Sequence, residues 1–255
     1  MSSQSPIILV ANWKMNGTTT QAKELLQSIQ SHPVPKHTHV VICPPFTLLH
    51  TLKSSLQTAP LLLGAQDCHF EESGAFTGDI SPSMLVDAGC RYVILGHSER
   101  RNYHQESNHL IHKKAAAAHA AKLITVICIG ETQDEYQQGR TQDVVFKQLE
   151  ESLPASSTHQ NTIIAYEPVW SIGTGNVPNC EEIQAIHQAI RSHLASLFAS
   201  PDAVSILYGG SVKPDNAADI LGIKGVNGLL VGGSSLQASP FCSIMEAVDT
   251  AICHH

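Results

Sequence analysis

Eight short apolar runs recur along this chain, each followed by polar or glycine residues and then by a stretch with helical spacing. They are IILVAN (7–12), VVIC (40–43), LLLGAQ (61–66), YVILGH (92–97), ITVICIG (124–130), TIIAYE (162–167), VSILYGG (204–210) and NGLLVGG (227–233). None alternates apolar with polar residues, the pattern of parallel strands buried on both faces. Parallel neighbours need a crossover between them, usually a helix. Helices fit about Gln21 to Gln30 behind Thr18–Thr20, a segment opening at Ser81-Pro82, and 107–121, 141–152, 180–197, 214–221 and 240–252. Eight such repeats in 255 residues predict an α/β chain folded as a (β/α)8 barrel, one domain over 1–255. A doubly wound open sheet is the competing architecture, but no G-x-G-x-x-G follows the first run.

Composition narrows the function classes. A formal net charge of −7 and a pI near 6.1 argue against nucleic acid or an anionic membrane as partner. No apolar stretch approaches the length of a membrane span, and residues 1–6 do not read as a signal peptide. Seven cysteines, odd in number and scattered without a C-x-x-C pair, fit a reducing cytoplasm. The fifteen histidines gather at 31–39 and 104–119, where His109 and His112 share a helical face. No cysteine or carboxylate completes a ligand set there at standard spacing, so we expect a solvated surface and no metal.

In a barrel, functional groups collect where the strands end. Those ends carry Asn12 and Lys14, then Gln66, then His97, Ser98 and Glu99, then Cys128 and Glu131, then Glu167. The last two carry Gly209, Gly210 and Ser211, and Gly232 and Gly233. The earlier ends supply acid–base and polar groups suited to proton transfer beside a carbonyl: Glu167 as base, His97 as donor or acid, Lys14 as a fixed charge. Each has a plainer reading. Glu167 also fits a surface ion pair, His97 a helix cap, and Lys14 a partner for Glu99. The glycines suit a phosphate cradle with SSLQ (234–237) as a short helix, or simply tight turns. Between Gln66 and Ser81 the chain runs without periodicity, and loops of that length are usually functional. Phe76 at its tip is costly to expose, so the loop is expected to insert into something or fold back on its own barrel.

Taken in order, NWKMNG (12–17), GHSERR (96–101), AYEPVWSIGTG (165–175), YGGSV (208–212) and LLVGGSSL (229–236) resemble the motifs of the triosephosphate isomerase family. The resemblance runs from end to end and implies a single-domain TIM barrel. It implies an isomerase of glycolysis and gluconeogenesis that interconverts dihydroxyacetone phosphate and D-glyceraldehyde 3-phosphate through an enediolate, without cofactor or metal. By position, Glu167 would be the base, His97 would shuttle protons on the substrate oxygens, and Lys14 with Asn12 would bind substrate and stabilise the enediolate. Gly173, Ser211 and Gly233, with Gly232 beside them, would hold the phosphate. Pro168, Val169, Trp170, Ser171, Ile172, Gly173, Thr174, Gly175, Asn176, Val177 and Pro178 would form a lid. GAFTG (74–78) is similar to the segment family members insert into a partner, which implies a homodimer with Phe76 and Thr77 at its interface.

Departures from the family pattern are few. Ser171 replaces an alanine, Asp67 an asparagine, and Asn176-Val177-Pro178 a hinge that normally has lysine and alanine. In the family the Tyr208 hydroxyl accepts a bond from the backbone N–H at position 178, and Pro178 has none to give. Three other activities fit single features: a glycosidase using Glu99 and Glu167, an aldolase using Lys14 as nucleophile, and an inactive binding scaffold. The joint presence of Lys14, His97 and Glu167 favours the isomerase.

Overall fold

The structure is a computed structural model, and it describes residues 6–56, 60–172 and 178–252. Among them, eight parallel strands close into a barrel in sequence order. They are β1 (Ile7–Asn12), β2 (Thr38–Cys43), β3 (Leu61–Ala65), β4 (Tyr92–Leu95), β5 (Ile124–Ile129), β6 (Thr162–Tyr166), β7 (Ser205–Tyr208) and β8 (Gly228–Val231). Every run in the sequence became a strand. The ring closes where β1 pairs with β8, Ile8 opposite Gly228. A Cβ at Gly228 would stand 1.9 Å from the Ile8 carbonyl oxygen, so closure there needs glycine.

The strands have no polar face because they have two apolar ones. Ile8, Val10, Val41, Cys43, Ile94, Val126, Cys128, Ile163, Ala165, Leu207 and Leu230 form one buried cluster filling the barrel. Alternate residues such as Leu9, Ala11, Val40, Ile42 and Ile164 belong to a second cluster shared with the surrounding helices. This is the period-two alternation of strand side chains wrapped around an axis.

Most helices appear where capping and apolar spacing predict them. α1 (Thr19–Gln30) starts at Thr18, whose side chain forms a capping box with Gln21. α2 (Phe46–Leu56) is a helix that our sequence reading did not include; it has no cap residue, but Leu48, Leu49, Leu52 and Leu56 bury one face. α3 (Pro82–Asp87) opens at the Ser81 cap with proline in its first turn, as expected. α4 (Ser98–Tyr103) and α6 (Gln133–Gln137) are too short for periodicity to reveal. α5 (Asn108–Ala120), α7 (Thr141–Ser152), α8 (Cys180–Leu194), α9 (Ala217–Leu221) and α10 (Ala238–Ile252) lie within two or three residues of their expected bounds.

The 66–81 loop folds onto itself more than onto the barrel. Its neck is closed by His69 N–H donating to the Ile80 carbonyl at 2.8 Å. The His69 ring stacks on Phe70 and Phe76, with centroids 4.4 and 4.2 Å away. Phe76 still leaves 42% of its surface exposed. A buried cluster ties the loop to α4 and α5: Lys114 Nζ lies 2.8 Å from Asp67 and 2.6 Å from Glu106, and Arg100 pairs with both carboxylates. The histidine-rich stretches form no metal-binding group among the described residues.

One histidine is a core residue. His187 on α8 is fully buried, donates from Nδ1 to the Gly225 carbonyl at 3.3 Å, and meets the Tyr166 ring edge-on. Burial lowers its pKa from 6.5 to about 4. Because the folded value lies below the unfolded one, unfolded chains take up a proton that the folded chain refuses. Stability is therefore lost as pH falls from about 6.5 towards 4. We expect His187→Leu to remove this component. In urea unfolding, the wild type should lose about 2–3 kcal/mol more than the variant between neutral pH and pH 4.5; parallel losses in the two proteins would show that His187 does not titrate this way.

Candidate active site

Strand parity carries the barrel interior up to its mouth. On β1, Ile8 and Val10 face the axis and Asn12 comes next; on β6, Ile163 and Ala165 lead to Glu167. On β7 and β8 the same step ends at Gly209 and Gly232. These four positions line one cavity of about 370 Å³, together with Lys14, His97, Ser211 and Gly233. So seven of the site residues expected from the sequence meet in one place: Asn12, Lys14, His97, Glu167, Ser211, Gly232 and Gly233. Ile172 also lines the cavity, as do Val212, Lys213 and Leu236, which the sequence did not single out. Gly173, Thr174, Gly175, Asn176 and Val177 lie outside the described residues. Phe76 and Thr77 are on the 66–81 loop, away from this cavity.

Glu167 is only 1% exposed, and its two carboxylate oxygens differ. Oε2 accepts the Ser98 backbone N–H at 3.0 Å. Oε1 lies 3.0 Å from His97 Nε2, but the alignment is poor and it accepts no well-formed hydrogen bond. Burial alone would raise this carboxyl's pKa; the neighbouring His97, the Ser98 amide and Lys14 together outweigh it and hold the group below the usual carboxylate range. It is an ionised, buried carboxylate with one oxygen held by a backbone amide and the other facing His97.

His97 caps α4, and its Nδ1 accepts the Glu99 backbone N–H at 3.2 Å. That bond leaves Nδ1 without a proton and places any ring N–H on Nε2, towards Glu167. Burial disfavours a charged ring, while the Glu167 carboxylate favours one and prevails, so the pKa is raised while the two side chains face each other. The direction depends on that carboxylate; a molecule seated between them would remove its main cause.

Lys14 holds a backbone conformation that lysine rarely adopts, with φ at 52°. Three bonds fix it there: its N–H donates to Asn12 Oδ1 at 3.1 Å, Gln66 Nε2 donates to its carbonyl at 2.9 Å, and Nζ pairs with Glu99 at 2.6 Å. The ion pair expected as the plain reading is present, and Lys14 nevertheless lines the cavity. Arg101 braces the same corner, donating to the carbonyls of Gly96 and Cys128 at 2.8 and 3.0 Å. Its position inside a helical turn gave no sign of that role.

The glycines at the ends of β7 and β8 serve the chain's own side chains more than the turn reading suggested. A Cβ at Gly209 would stand 2.9 Å from Glu167 Cγ, and one at Gly232 3.2 Å from Lys14 Cε. A Cβ at Gly210 would stand 2.2 Å from the Tyr208 hydroxyl. Only at Gly233, among these four, is the space open. Gly233 begins a 3-10 turn, Gly233–Leu236, held by Ser235 Oγ donating to the Gly232 carbonyl at 2.7 Å.

Beside Glu167, the segment Pro168–Ile172 is fastened to buried Glu131. Val169 N–H donates to the Glu131 carbonyl at 3.1 Å, and Trp170 Nε1–H donates to its carboxylate at 2.8 Å. Tyr166 donates to the same carboxylate, and Tyr136 stacks on the Trp170 ring with centroids 4.3 Å apart. The Tyr208 hydroxyl and Ser171 Oγ are buried beside each other next to Gly210, and among the described residues neither has a hydrogen-bond partner of good geometry.

Known proteins give this geometry a context. The triosephosphate isomerase family model matches residues 7–248. The triosephosphate isomerase of Rhizobium etli is 45% identical over 249 residues, covering 96% of this chain and 97% of its own. That of Brucella abortus is 48% identical over 242 residues, covering 94% and 95%. The crystal structure of triosephosphate isomerase from Bartonella henselae superposes with a TM-score of 0.86 at 40% identity, over 95% of this chain and 99% of that one.

Because the Tyr208 hydroxyl makes no well-formed hydrogen bond among the described residues, Tyr208→Phe is expected to change kcat/KM by less than about threefold. Steady-state kinetics of the purified variant would check this. A severe loss would mean that the hydroxyl gains an essential partner during turnover.

Proposed function

The chain belongs to the triosephosphate isomerase family, and from that premise we propose how its side chains divide the reaction. It is an isomerase that interconverts dihydroxyacetone phosphate and D-glyceraldehyde 3-phosphate, a step of glycolysis and gluconeogenesis. Glu167 is the base that carries the proton between adjacent carbons. The observation that carries this reading is its placement: the buried, ionised carboxylate lines the cavity, with Oε2 held by the Ser98 amide and Oε1 facing His97 Nε2 at 3.0 Å. A substrate seated between Glu167 and His97 would take away the main contact that holds the carboxyl's pKa down, leaving burial to strengthen it as a base.

His97 works on the substrate oxygens. With substrate between it and Glu167, the charge that favours its protonation is screened off, while the Glu99 amide still occupies Nδ1. The α4 N-terminus also disfavours a cation there. A neutral ring with its proton on Nε2 can both give and recover one. Lys14 and Asn12 bind the substrate and stabilise the enediolate charge. Lys14 is set by backbone that three bonds hold in place, so little reorganisation is needed as charge develops.

Ser211, Gly232 and Gly233 hold the phosphate, and Gly173 joins them in this reading from outside the described residues. Residues 168–178 act as the lid, excluding water from Glu167. What supports the lid is its described base, locked to Glu131 through Val169 and Trp170. The whole chain, 1–255, works as one domain, which the closed barrel and the match over 7–248 favour.

The chain acts as a homodimer in the cytoplasm. Supporting the dimer is a hollow of about 580 Å³ beside the site, lined by Lys14, Met15, Gln66, His97 and Tyr103, with Met15 96% and Tyr103 76% exposed. Apolar side chains at that exposure, next to the exposed Phe76 loop, suit a partner's loop entering the hollow. Supporting the cytoplasm, the six cysteines among the described residues are all unpaired, and no described helix is long and apolar enough to cross a membrane.

The enzyme-coupled assay with glyceraldehyde 3-phosphate tests the reaction directly, and two variants test the assignments. Glu167→Asp should keep the fold and slow kcat by two or more orders of magnitude, because the carboxylate retreats by roughly an ångström and proton transfer depends steeply on placement. Near wild-type turnover would exclude Glu167 as the base. Thr77→Arg should place an unpaired charge at the interface and give weakly active monomers by analytical ultracentrifugation. A fully active monomer would rule out the shared site.

A further inference from the structure

Four charged or titratable side chains line the cavity: Lys14, His97, Glu167 and Lys213. Lys14 is already matched to Glu99 at 2.6 Å, and Glu167 is an anion. Lys213 is exposed and makes no ion pair among the described residues. Its backbone, however, is fixed. Lys213 N–H donates to Asn216 Oδ1 at 2.8 Å, Asn216 Nδ2 donates to the Ser211 carbonyl at 3.1 Å, and Ala217 N–H donates to the Lys213 carbonyl at 3.1 Å. Ser234 Oγ donates to the Val212 carbonyl at 2.7 Å, tying this loop to the one after β8. A free ammonium thus stands on an anchored base between Ser211 and Gly233. It also walls a neighbouring hollow of about 530 Å³, where Asp215 is the opposing charge; Asp215 does not line the reaction cavity.

We propose that Lys213 is a substrate-steering residue, drawing the phosphate group towards Ser211, Gly232 and Gly233. The inference rests on the reading of those residues as the phosphate cradle. A triose phosphate carries close to two negative charges, and the chain that must capture it has a formal charge of −7. Lys14 is matched by Glu99, which leaves the Glu167 carboxylate as the uncompensated charge lining the cavity beside Lys213. Without Lys213 the mouth would repel its substrate; with it, the phosphate end holds an uncompensated positive charge. Local fields of this kind set capture rates and weaken with salt. The ammonium acts on capture and holding, not on the proton transfers at Glu167.

Lys213→Met and Lys213→Arg test this. At low ionic strength, Lys213→Met should lower kcat/KM for glyceraldehyde 3-phosphate about three- to tenfold with kcat nearly constant, and the loss should shrink as salt screens the charge. Competitive inhibition by inorganic phosphate should weaken in parallel, and Lys213→Arg should restore both. The loss should be confined to the phosphorylated substrate, with D-glyceraldehyde as the comparison. A methionine variant equal to wild type at low salt, or one equally impaired on D-glyceraldehyde, would overturn the proposal. If the wild type itself fails to isomerise triose phosphate, the functional reading falls. Calorimetric binding of inorganic phosphate then still judges Lys213: weaker binding to the methionine variant supports it, and equal binding overturns it.

Discussion

Closing eight parallel strands into a ring is the constraint from which the rest follows. A closed sheet has no edge, so every backbone group inside it is paired and every side chain faces either the axis or the helices. The axis fills with Ile, Val, Leu, Ala and Cys side chains up to the level of Val10, Ala165, Leu207 and Leu230. One step further, apolar packing stops and the same parity brings the buried Asn12 and Glu167 to the wall of the cavity. Gly209 and Gly232 complete that layer by yielding their volume to Glu167 and Lys14. The site is where the core runs out of side chains.

That position explains the electrostatics. Glu167 is nearly buried, yet it stays ionised because Ser98, His97 and Lys14 reach it from two other strand ends. Those ends are held by a second ring of contacts: Gln66 on the Lys14 carbonyl, Arg101 on the carbonyls of Gly96 and Cys128, and Glu99 on Lys14. Beyond these, the buried cluster of Asp67, Arg100, Glu106 and Lys114 fastens α4 to α5 and to the 66–81 loop. Each layer fixes the one inside it. A left-handed backbone at Lys14 persists only because several contacts determine it together.

The same layering separates what family resemblance supplies from what this chain adds. Asp67, where asparagine is common, is paired with Lys114 and Arg100 rather than left as a lone buried charge. Ser171 and Tyr208 bring two buried hydroxyls to one place beside Gly210.

The sequence by itself determined the barrel, because strands buried on both faces must be apolar throughout, and eight such runs alternating with helical stretches leave few alternatives. It also determined which residues reach the mouth, since parity along a strand is a local property: Ile163 and Ala165 inside mean Glu167 inside. Short helices such as α4 and α6 escaped, because a single turn has no period to detect. α2 was legible in Leu48, Leu49, Leu52 and Leu56, but no cap drew attention to it. What only the tertiary structure decided is every relation between distant strand ends. That Glu167 has one oxygen held by an amide and the other facing His97 depends on Ser98, sixty-nine residues away in the chain. That Gly209, Gly210 and Gly232 make room for side chains, while Gly233 alone among them stands in open space, depends on where Glu167, Tyr208 and Lys14 arrive. Periodicity records which way a side chain points; only closure of the ring fixes what it meets.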